Sequence, residues 1–280
     1  MFPDPIFNVD IPFIKDIHWY GVMIAVGVLF CFLTLFYFGK KLGLSTKFVD
    51  FVFYNGIVSI ALGFFSAAVF QAFYNYLDNP EGGFKLGSGI TFIGGLIGGA
   101  ACFLIIYFIF KKKLDGKLTD ILSLVPCCIT VAHAFGRLGC LFAGCCHGAY
   151  LGEQPVTGGI WMEGTHPEYG YKMWGYFVPT QLYEAIFLFV LFALFVFLLL
   201  KFGFRRNLEL YLILYGIFRF VIEYFRADDR GQLVGKISPS QFWSILMVVL
   251  GAGLWVVMTV WEKKRATTAP TEEISGETEE

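Results

Sequence analysis

Charge is what this 280-residue sequence has least of. Lys and Arg number 21, Asp and Glu 22, together 15% of the chain, where a soluble domain carries about 25%. Neither sign prevails, with a net charge of −1, so no basic surface for nucleic acid is expected. The first 18 residues hold three prolines and several acids among short apolar patches. They lack a basic start followed by an apolar run, so no cleavable signal peptide is expected. No internal repeat is visible, and no C-x₂-C pair occurs. The seven cysteines are too few and too scattered for a disulfide framework. What remains is apolar: 57% hydrophobic residues, with 33 phenylalanines. Disorder is excluded for the bulk of the chain, and a water-soluble globule could not hide this much apolar surface. The fold class expected is all-α, a polytopic membrane protein.

A membrane helix takes roughly 20 apolar residues, because a hydrocarbon layer about 30 Å thick is crossed at 1.5 Å per residue. Seven stretches qualify, at about 19–39, 50–76, 90–110, 119–141, 180–200, 208–226 and 239–261. The loops after the odd-numbered spans carry Lys40, Lys41 and Lys47; Lys111, Lys112, Lys113 and Lys117; Lys201, Arg205 and Arg206; and Lys263, Lys264 and Arg265. The opposite side carries Lys15, Lys85, Lys172, Arg226, Arg230 and Lys236. This bias predicts seven transmembrane helices with the N-terminus outside and the C-terminus in the cytoplasm. Residues 1–265 are expected to form a single seven-helix domain with an extracytoplasmic loop at 142–178, and residues 266–280 a disordered acidic tail. The loop's Gly, Pro, Trp and Tyr content suits the headgroup zone, and its length points to function.

Charged groups in lipid cost roughly 2.5–3.5 kcal/mol each on insertion scales, so their positions are informative. The fourth span carries His133 and Arg137 on one helix face. The sixth carries Tyr215, Arg219, Glu223 and Arg226, spaced four, four and three, as one polar stripe. The fifth opens with Gln181, Tyr183 and Glu184, and the first with His18, Trp19 and Tyr20. Polar groups thus gather in the outer halves of the spans, which predicts a cavity on the outer side. The pair Arg219 and Glu223 could serve helix packing alone. Two arginines on different spans, however, exceed what Glu184 and Glu223 need for pairing, and guanidinium groups bind phosphate bidentately. The anion expected at this depth is a phospholipid headgroup.

The stretch Gly94-Gly95-Leu96-Ile97-Gly98-Gly99 has two readings: close helix packing through small residues, or a helix start whose N–H groups face a phosphate. The segment from His133 to Gly148 is the densest constellation. Its Cys140, Cys145, Cys146 and His147 do not follow a usual zinc spacing, so no metal and no cofactor are expected. A disulfide and a thiolate activated beside Arg137 stay open. Cys31, Cys102, Cys127 and Cys128 are expected only to pack.

Several blocks together resemble the prolipoprotein diacylglyceryl transferases of bacteria. They are WYG at 19–21, GGLIGG at 94–99, GRLG at 136–139 with Gly148 nine residues beyond Gly139, PTQLYE at 179–184, YGIFRFVIEYFR at 215–226 and SPSQFWSILMVVLG at 238–251. They occur in that family's order along almost the whole chain. The resemblance implies an enzyme of the bacterial cytoplasmic (inner) membrane. It would move the diacylglyceryl group of phosphatidylglycerol to the lipobox cysteine of a prolipoprotein, the first step of lipoprotein maturation, with glycerol phosphate leaving. On this resemblance Arg137 and Arg219 hold the phosphate and Glu223 orients an arginine. Gly94 and Gly95 let the headgroup approach. Tyr20, Gln181, Glu184 and Tyr215 line the site, with Arg226 near its mouth.

Three positions depart from the family's pattern: Ile93 stands for a customary His, Cys140 for Asn and Cys145 for Glu. The thiol-activating base is therefore open. His147, His133 and an arginine-lowered thiol pKa are the alternatives, together with a different acceptor or a catalytic cysteine of the protein's own. Two other functional classes fit some of the residues. A membrane carrier of anions or lipids would explain the intramembrane arginines, but it should place polar groups at the midplane. A thiol–disulfide oxidoreductase would use Cys140, Cys145 and Cys146, but it leaves Arg219 and Glu223 unexplained.

Overall fold

The computed structural model describes residues 7–11, 14–87, 89, 91–165, 170–226 and 237–268. Helices dominate: α1 (Trp19–Lys41), α2 (Thr46–Asp78), α3 (Phe92–Phe110), α4 (Leu118–Phe142), α5 (Thr180–Phe202), α6 (Asn207–Ile222) and α7 (Pro239–Thr268). Six of them, all but α6, are long and apolar enough to cross a membrane. With its 16 residues, α6 is the short one. The chain is also not purely α. Two strands, β1 (Phe7–Ile11) and β2 (Ile14–Ile17), pair antiparallel. The segment expected as a loop at 142–178 holds β3 (Tyr150–Gly152), β4 (Ile160–Thr165) and β5 (Lys172–Phe177), in sheet order β3-β5-β4. Helix α7 runs to Thr268. The acidic tail beyond it lies outside the described residues, as does the side chain of Ile93.

By their internal contacts the residues divide into two compact units: Met1–Val22, Gly136–Phe187 and Arg206–Glu280 form one, and Met23–Phe135 and Leu188–Arg205 the other. The second is built on close backbone approach. Helix α2 starts at Ser45, whose hydroxyl accepts the N–H of Phe48 at 3.1 Å, a cap for a donor that the first turn leaves free. It then runs antiparallel to α3, with Asn55 opposite Phe103, Gly63 opposite Gly95 and Gly99, and Gln71 opposite Thr91. A Cβ at Gly63 would stand 3.0 Å from the carbonyl oxygen of Gly95. The polar groups at this contact bond across it: Asn55 Nδ2 donates to the Phe103 carbonyl at 3.1 Å, and Ser66 Oγ to the Gly94 carbonyl at 2.9 Å. Small residues with hydroxyl or amide cross-links are how helices associate where lipid removes the hydrophobic drive. Helix α1 meets α4 in the same way at Gly27, where a Cβ would stand 2.9 Å from the Ala132 carbonyl oxygen. Large apolar side chains such as Phe64, Phe65, Ile105 and Ile109 are exposed, which in a chain of this composition is a lipid-facing surface.

In the first unit α6 and α7 form an antiparallel hairpin. Gly216 lies against Ser244 and Val248, and Gly251 against Glu209, Leu212 and Ile213. Arg206, at the start of α6, closes one end by donating to Thr259 Oγ1 at 2.6 Å and pairing with Glu262. The sheet packs on the end of α4. Met162 of β4 and Phe177 of β5 are wholly buried with Leu141 of α4, and Leu138, Tyr150, Ile160, Met173 and Leu182 surround them. Burying side chains of this size is worth about 1.5–3 kcal/mol each. This small core anchors the loop between α4 and α5, which carries Cys145, Cys146 and Gly148.

Candidate active site

The polar stripe of α6 and the polar ends of α4 and α5 come together in the first unit. Glu184, one turn into α5 and fully buried, holds two partners. Its Oε2 lies 3.0 Å from Arg137 Nε of α4, and its Oε1 accepts the Tyr215 hydroxyl of α6 at 2.8 Å. One helical turn beyond Tyr215, Arg219 donates to Glu223 Oε2 at 2.7 Å and to Ser240 Oγ of α7 at 3.0 Å. Ser238 Oγ donates to the other oxygen of Glu223 at 2.9 Å. Arg226 Nε stands 3.8 Å from Glu223 Oε2. The i, i+4 and i+3 spacing of the stripe explains the geometry within α6 and the 3₁₀ turn that follows it. Ser238 and Ser240 were not foreseen as part of this cluster. Their signal was the SPSQ at 238–241, a helix start whose hydroxyls point at a carboxylate and a guanidinium.

The one-to-one pairing corrects an expectation. Arg137 and Arg219 are not in excess over Glu184 and Glu223: each arginine has one carboxylate. Arg226 is the third arginine of this cluster: it lies against Glu223 and faces the Cys146 thiol. All three arginine side chains are largely buried, at 17%, 9% and 3% exposure.

The loop after α4 is pinned on its backbone. Gly148 N–H donates to the Val178 carbonyl at 2.8 Å, and Gly148 bridges to Arg226. Any Cβ at Gly148 would collide with the Phe225 carbonyl oxygen. Gly144 has a φ of 65° and lies against the Glu163 backbone, a left-handed position that glycine adopts without strain. Gly139 stays inside α4, where its carbonyl accepts the Ala143 N–H at 3.0 Å. Thr180 Oγ1 donates to the Cys146 carbonyl at 2.8 Å, and Gln181 Nε2 to the Cys145 carbonyl at 2.6 Å. The Oε1 of Gln181 is buried with no hydrogen-bond partner.

This architecture brings Cys140, Cys145 and Cys146 together: their sulfurs all lie within 4.8 Å of one another. Cys146 has a φ of 61°, and it is the one non-glycine residue with positive φ among those described. Hydrogen bonds with Cys140 and Cys145, then the Arg226 guanidinium, hold the Cys146 thiol well below the usual thiol range, while hydrogen bonds with the same two neighbours push Cys145 up. Tyr20, exposed at the start of α1, stands within electrostatic reach of the three thiols and of Arg137.

Two expected site elements sit differently. His147 is buried, with Nε2 accepting the Thr165 N–H at 2.9 Å and Nδ1 at 2.9 Å from the Gly148 carbonyl oxygen. An accepting Nε2 places the proton on Nδ1, so both ring nitrogens are engaged. The ring packs on Phe177 at 4.4 Å. This geometry presents His147 as a brace for the sheet, with no ring nitrogen left for a substrate proton. Gly94 and Gly95 belong to the other unit and pack against α2. A Cβ at Gly94 would stand 2.5 Å from Phe70 Cβ, and one at Gly95 3.3 Å from Ala67 Cβ. Of the two readings of GGLIGG, helix packing is the one these contacts favour.

The family model described as prolipoprotein diacylglyceryl transferase matches residues 7–257. The phosphatidylglycerol–prolipoprotein diacylglyceryl transferase of Clostridium tetani is 33% identical over 240 residues, covering 84% of this chain and 90% of that protein. The protein of the same name from Dehalococcoides mccartyi is 34% identical over 248 residues, covering 86% and 88%. That of Staphylococcus carnosus is 30% identical over 249 residues, covering 85% of each.

Proposed function

Because this chain belongs to the prolipoprotein diacylglyceryl transferase family, we infer that it is a membrane transferase acting on phosphatidylglycerol and a prolipoprotein. The acceptor thiol attacks the glycerol carbon that carries the phosphate. A C–S bond forms, the C–O bond to phosphate breaks, and glycerol phosphate leaves with the electron pair. The diacylglyceryl thioether stays on the lipobox cysteine. The family decides among the three functional classes that the residues alone left open.

What supports the site is the gathering of three largely buried arginines, Arg137, Arg219 and Arg226, around Glu184 and Glu223. Guanidinium groups bind a phosphodiester bidentately. Arg137 and Arg219, each fixed by its own glutamate, present guanidinium N–H groups whose charge-assisted bonds strengthen as charge builds on the leaving phosphate. Arg226 neutralises part of the same charge from the loop side. Glu184 and Glu223 act as positioning residues. Tyr215 holds Glu184 in place, and the unpartnered Gln181 Oε1 accepts from a hydroxyl of the lipid headgroup. Tyr20, Cys140 and Cys145 border the acceptor side, and Gly139 and Gly148 allow the chain to bend there.

We place all seven helices across the bacterial cytoplasmic membrane, with the N-terminus outside and the C-terminus in the cytoplasm. Helix α6 and the 3₁₀ turn Glu223–Phe225 together reach about 30 Å at 1.5 and 2 Å per residue, which supports a seventh span. The lysines at 111–113, which form a 3₁₀ turn after α3, support the side assigned to the cytoplasm. The test is to combine the purified protein with phosphatidylglycerol and a peptide carrying a lipobox cysteine. The expected products are a thioether-linked diacylglyceryl peptide and glycerol phosphate. An unmodified peptide beside intact lipid would refute the assignment.

A further inference from the structure

Three candidate bases among the described residues near the arginines are already engaged. Glu184 and Glu223 are committed to arginines, and both ring nitrogens of His147 are engaged. Beside them the loop after α4 assembles three thiols. Cys140 is in the last turn of α4, three residues from Arg137. Cys145 and Cys146 return to it because the backbone is turned at Gly144 and Cys146, both at positive φ. A non-glycine residue in that conformation costs about 1–2 kcal/mol. The loop is held there through carbonyls, by Gln181 and Thr180, which leaves the three sulfurs converging on one another. The Arg226 guanidinium lies within electrostatic reach of the Cys146 thiol. An arrangement with its carbonyls tied back and its sulfurs gathered is a ligand set.

We propose that Cys140, Cys145 and Cys146 bind one zinc ion, and that its open fourth position takes the acceptor cysteine and presents it as a thiolate. The inference rests on the transferase reading and supplies its nucleophile. Zinc–thiolate bonds of about 2.3 Å place tetrahedral sulfurs about 3.8 Å apart, so sulfurs within 4.8 Å of one another need close by only about 1 Å. Three protein ligands with an open position is the pattern of catalytic rather than structural zinc. Cys145 is exposed, so the fourth position is open to a peptide. Coordination deprotonates a thiol outright, and the proton goes to solvent. The zinc-bound sulfur then attacks the glycerol carbon, the C–O bond breaks, and the phosphate leaves on the arginines. Zinc keeps its oxidation state throughout, so no oxidant or reductant is required.

The test uses the full-length protein, purified in reducing buffer without chelator. Elemental analysis is expected to give one zinc per chain in the wild type and none in the Cys140→Ser/Cys145→Ser/Cys146→Ser variant. Replacing zinc by cobalt(II) is expected to give sulfur-to-metal charge-transfer bands, and these shift on adding a lipobox peptide but not its Cys→Ser analogue. A free thiol with pKa near 8.5 is only a few per cent thiolate at pH 7, so chelated wild-type enzyme should lose about 30-fold in kcat/KM at pH 7. The deficit should close as pH rises towards 9, and added zinc should restore the rate. Full transfer by metal-free enzyme at pH 7, or a disulfide between any two of the three cysteines in active enzyme, would overturn the zinc site and leave the transferase reading standing. Zinc and peptide-dependent cobalt spectra without any thioether product would support the site and overturn the transferase reading.

Discussion

Glu184 is where the electrostatic reasoning is most exposed to a test. Its carboxylate is wholly buried, ion-paired with Arg137 at 3.0 Å and hydrogen-bonded by Tyr215 at 2.8 Å. Glu184→Gln keeps the shape and the Tyr215 contact but removes the charge. Two unit charges at that separation attract by about 5–6 kcal/mol at an effective dielectric of 20. Measured losses on breaking one partner of a buried pair are about 3–5 kcal/mol, because the other charge is stranded. For a chain of this size each kcal/mol moves the unfolding temperature by about 2–4 °C. The variant in detergent without lipid should therefore melt about 6–20 °C below the wild type. Adding phosphatidylglycerol should raise its melting temperature more than that of the wild type, because the phosphate takes over the stranded guanidinium and ligand binding adds to stability. Thermal unfolding followed by fluorescence, with and without the lipid, reads both quantities. A variant that melts with the wild type would mean the pair contributes no net stability. An equal lipid shift in both proteins would refute phosphate binding by Arg137.

Three further predictions follow from the same geometry. Arg137→Ala and Arg219→Ala should each lower transfer by about 10²–10³-fold, as loss of a charge-stabilising donor does, with membrane insertion unchanged by carbonate extraction; normal lipidation of a peptide by either variant would exclude that arginine from the phosphate. His147→Asn should cost about 1–3 kcal/mol of stability through its lost buried hydrogen bonds, yet leave the pH dependence of the remaining activity in place; a changed pH–rate profile would make His147 a base after all. Gly148→Ala drives a methyl into the Phe225 carbonyl and should lower both melting temperature and activity, whereas Gly136→Ala, with open space at its Cβ, should leave melting unchanged.

Much of this was legible from residue types and spacing. The spans stand out because a bilayer demands some 20 apolar residues in a row, and the α6 stripe because expensive groups in lipid must face one another. The expected excess of Arg137 and Arg219 over Glu184 and Glu223 fails because each arginine takes one carboxylate. The three-stranded sheet was hidden because its strands are only three to six residues long and carry glycine and aromatics usual in loops. The inward alternation of Met173, Gly175 and Phe177 was the available signal. Cys140, Cys145 and Cys146 stood out together in the sequence, but their convergence depends on two left-handed residues, Gly144 and Cys146, that no spacing rule anticipates. The glycines of GGLIGG were ambiguous by type, and only their neighbours on α2 separate packing from phosphate binding.

The Gly148 junction has a mechanical consequence. Its backbone is tied to Val178 just before α5, and Ala149 beside it accepts from Val178 and donates to Phe225 just after α6. Three stretches of chain distant in sequence are thus sewn at one spot, and none of them can swing without tearing the seam of the other two. Arg226 adjoins this seam through its bridge to Gly148, and Cys146 through the Thr180 hydroxyl, so this end of the site is tied down rather than a flap. Whatever admits a two-tailed lipid has to yield at some other place in the molecule.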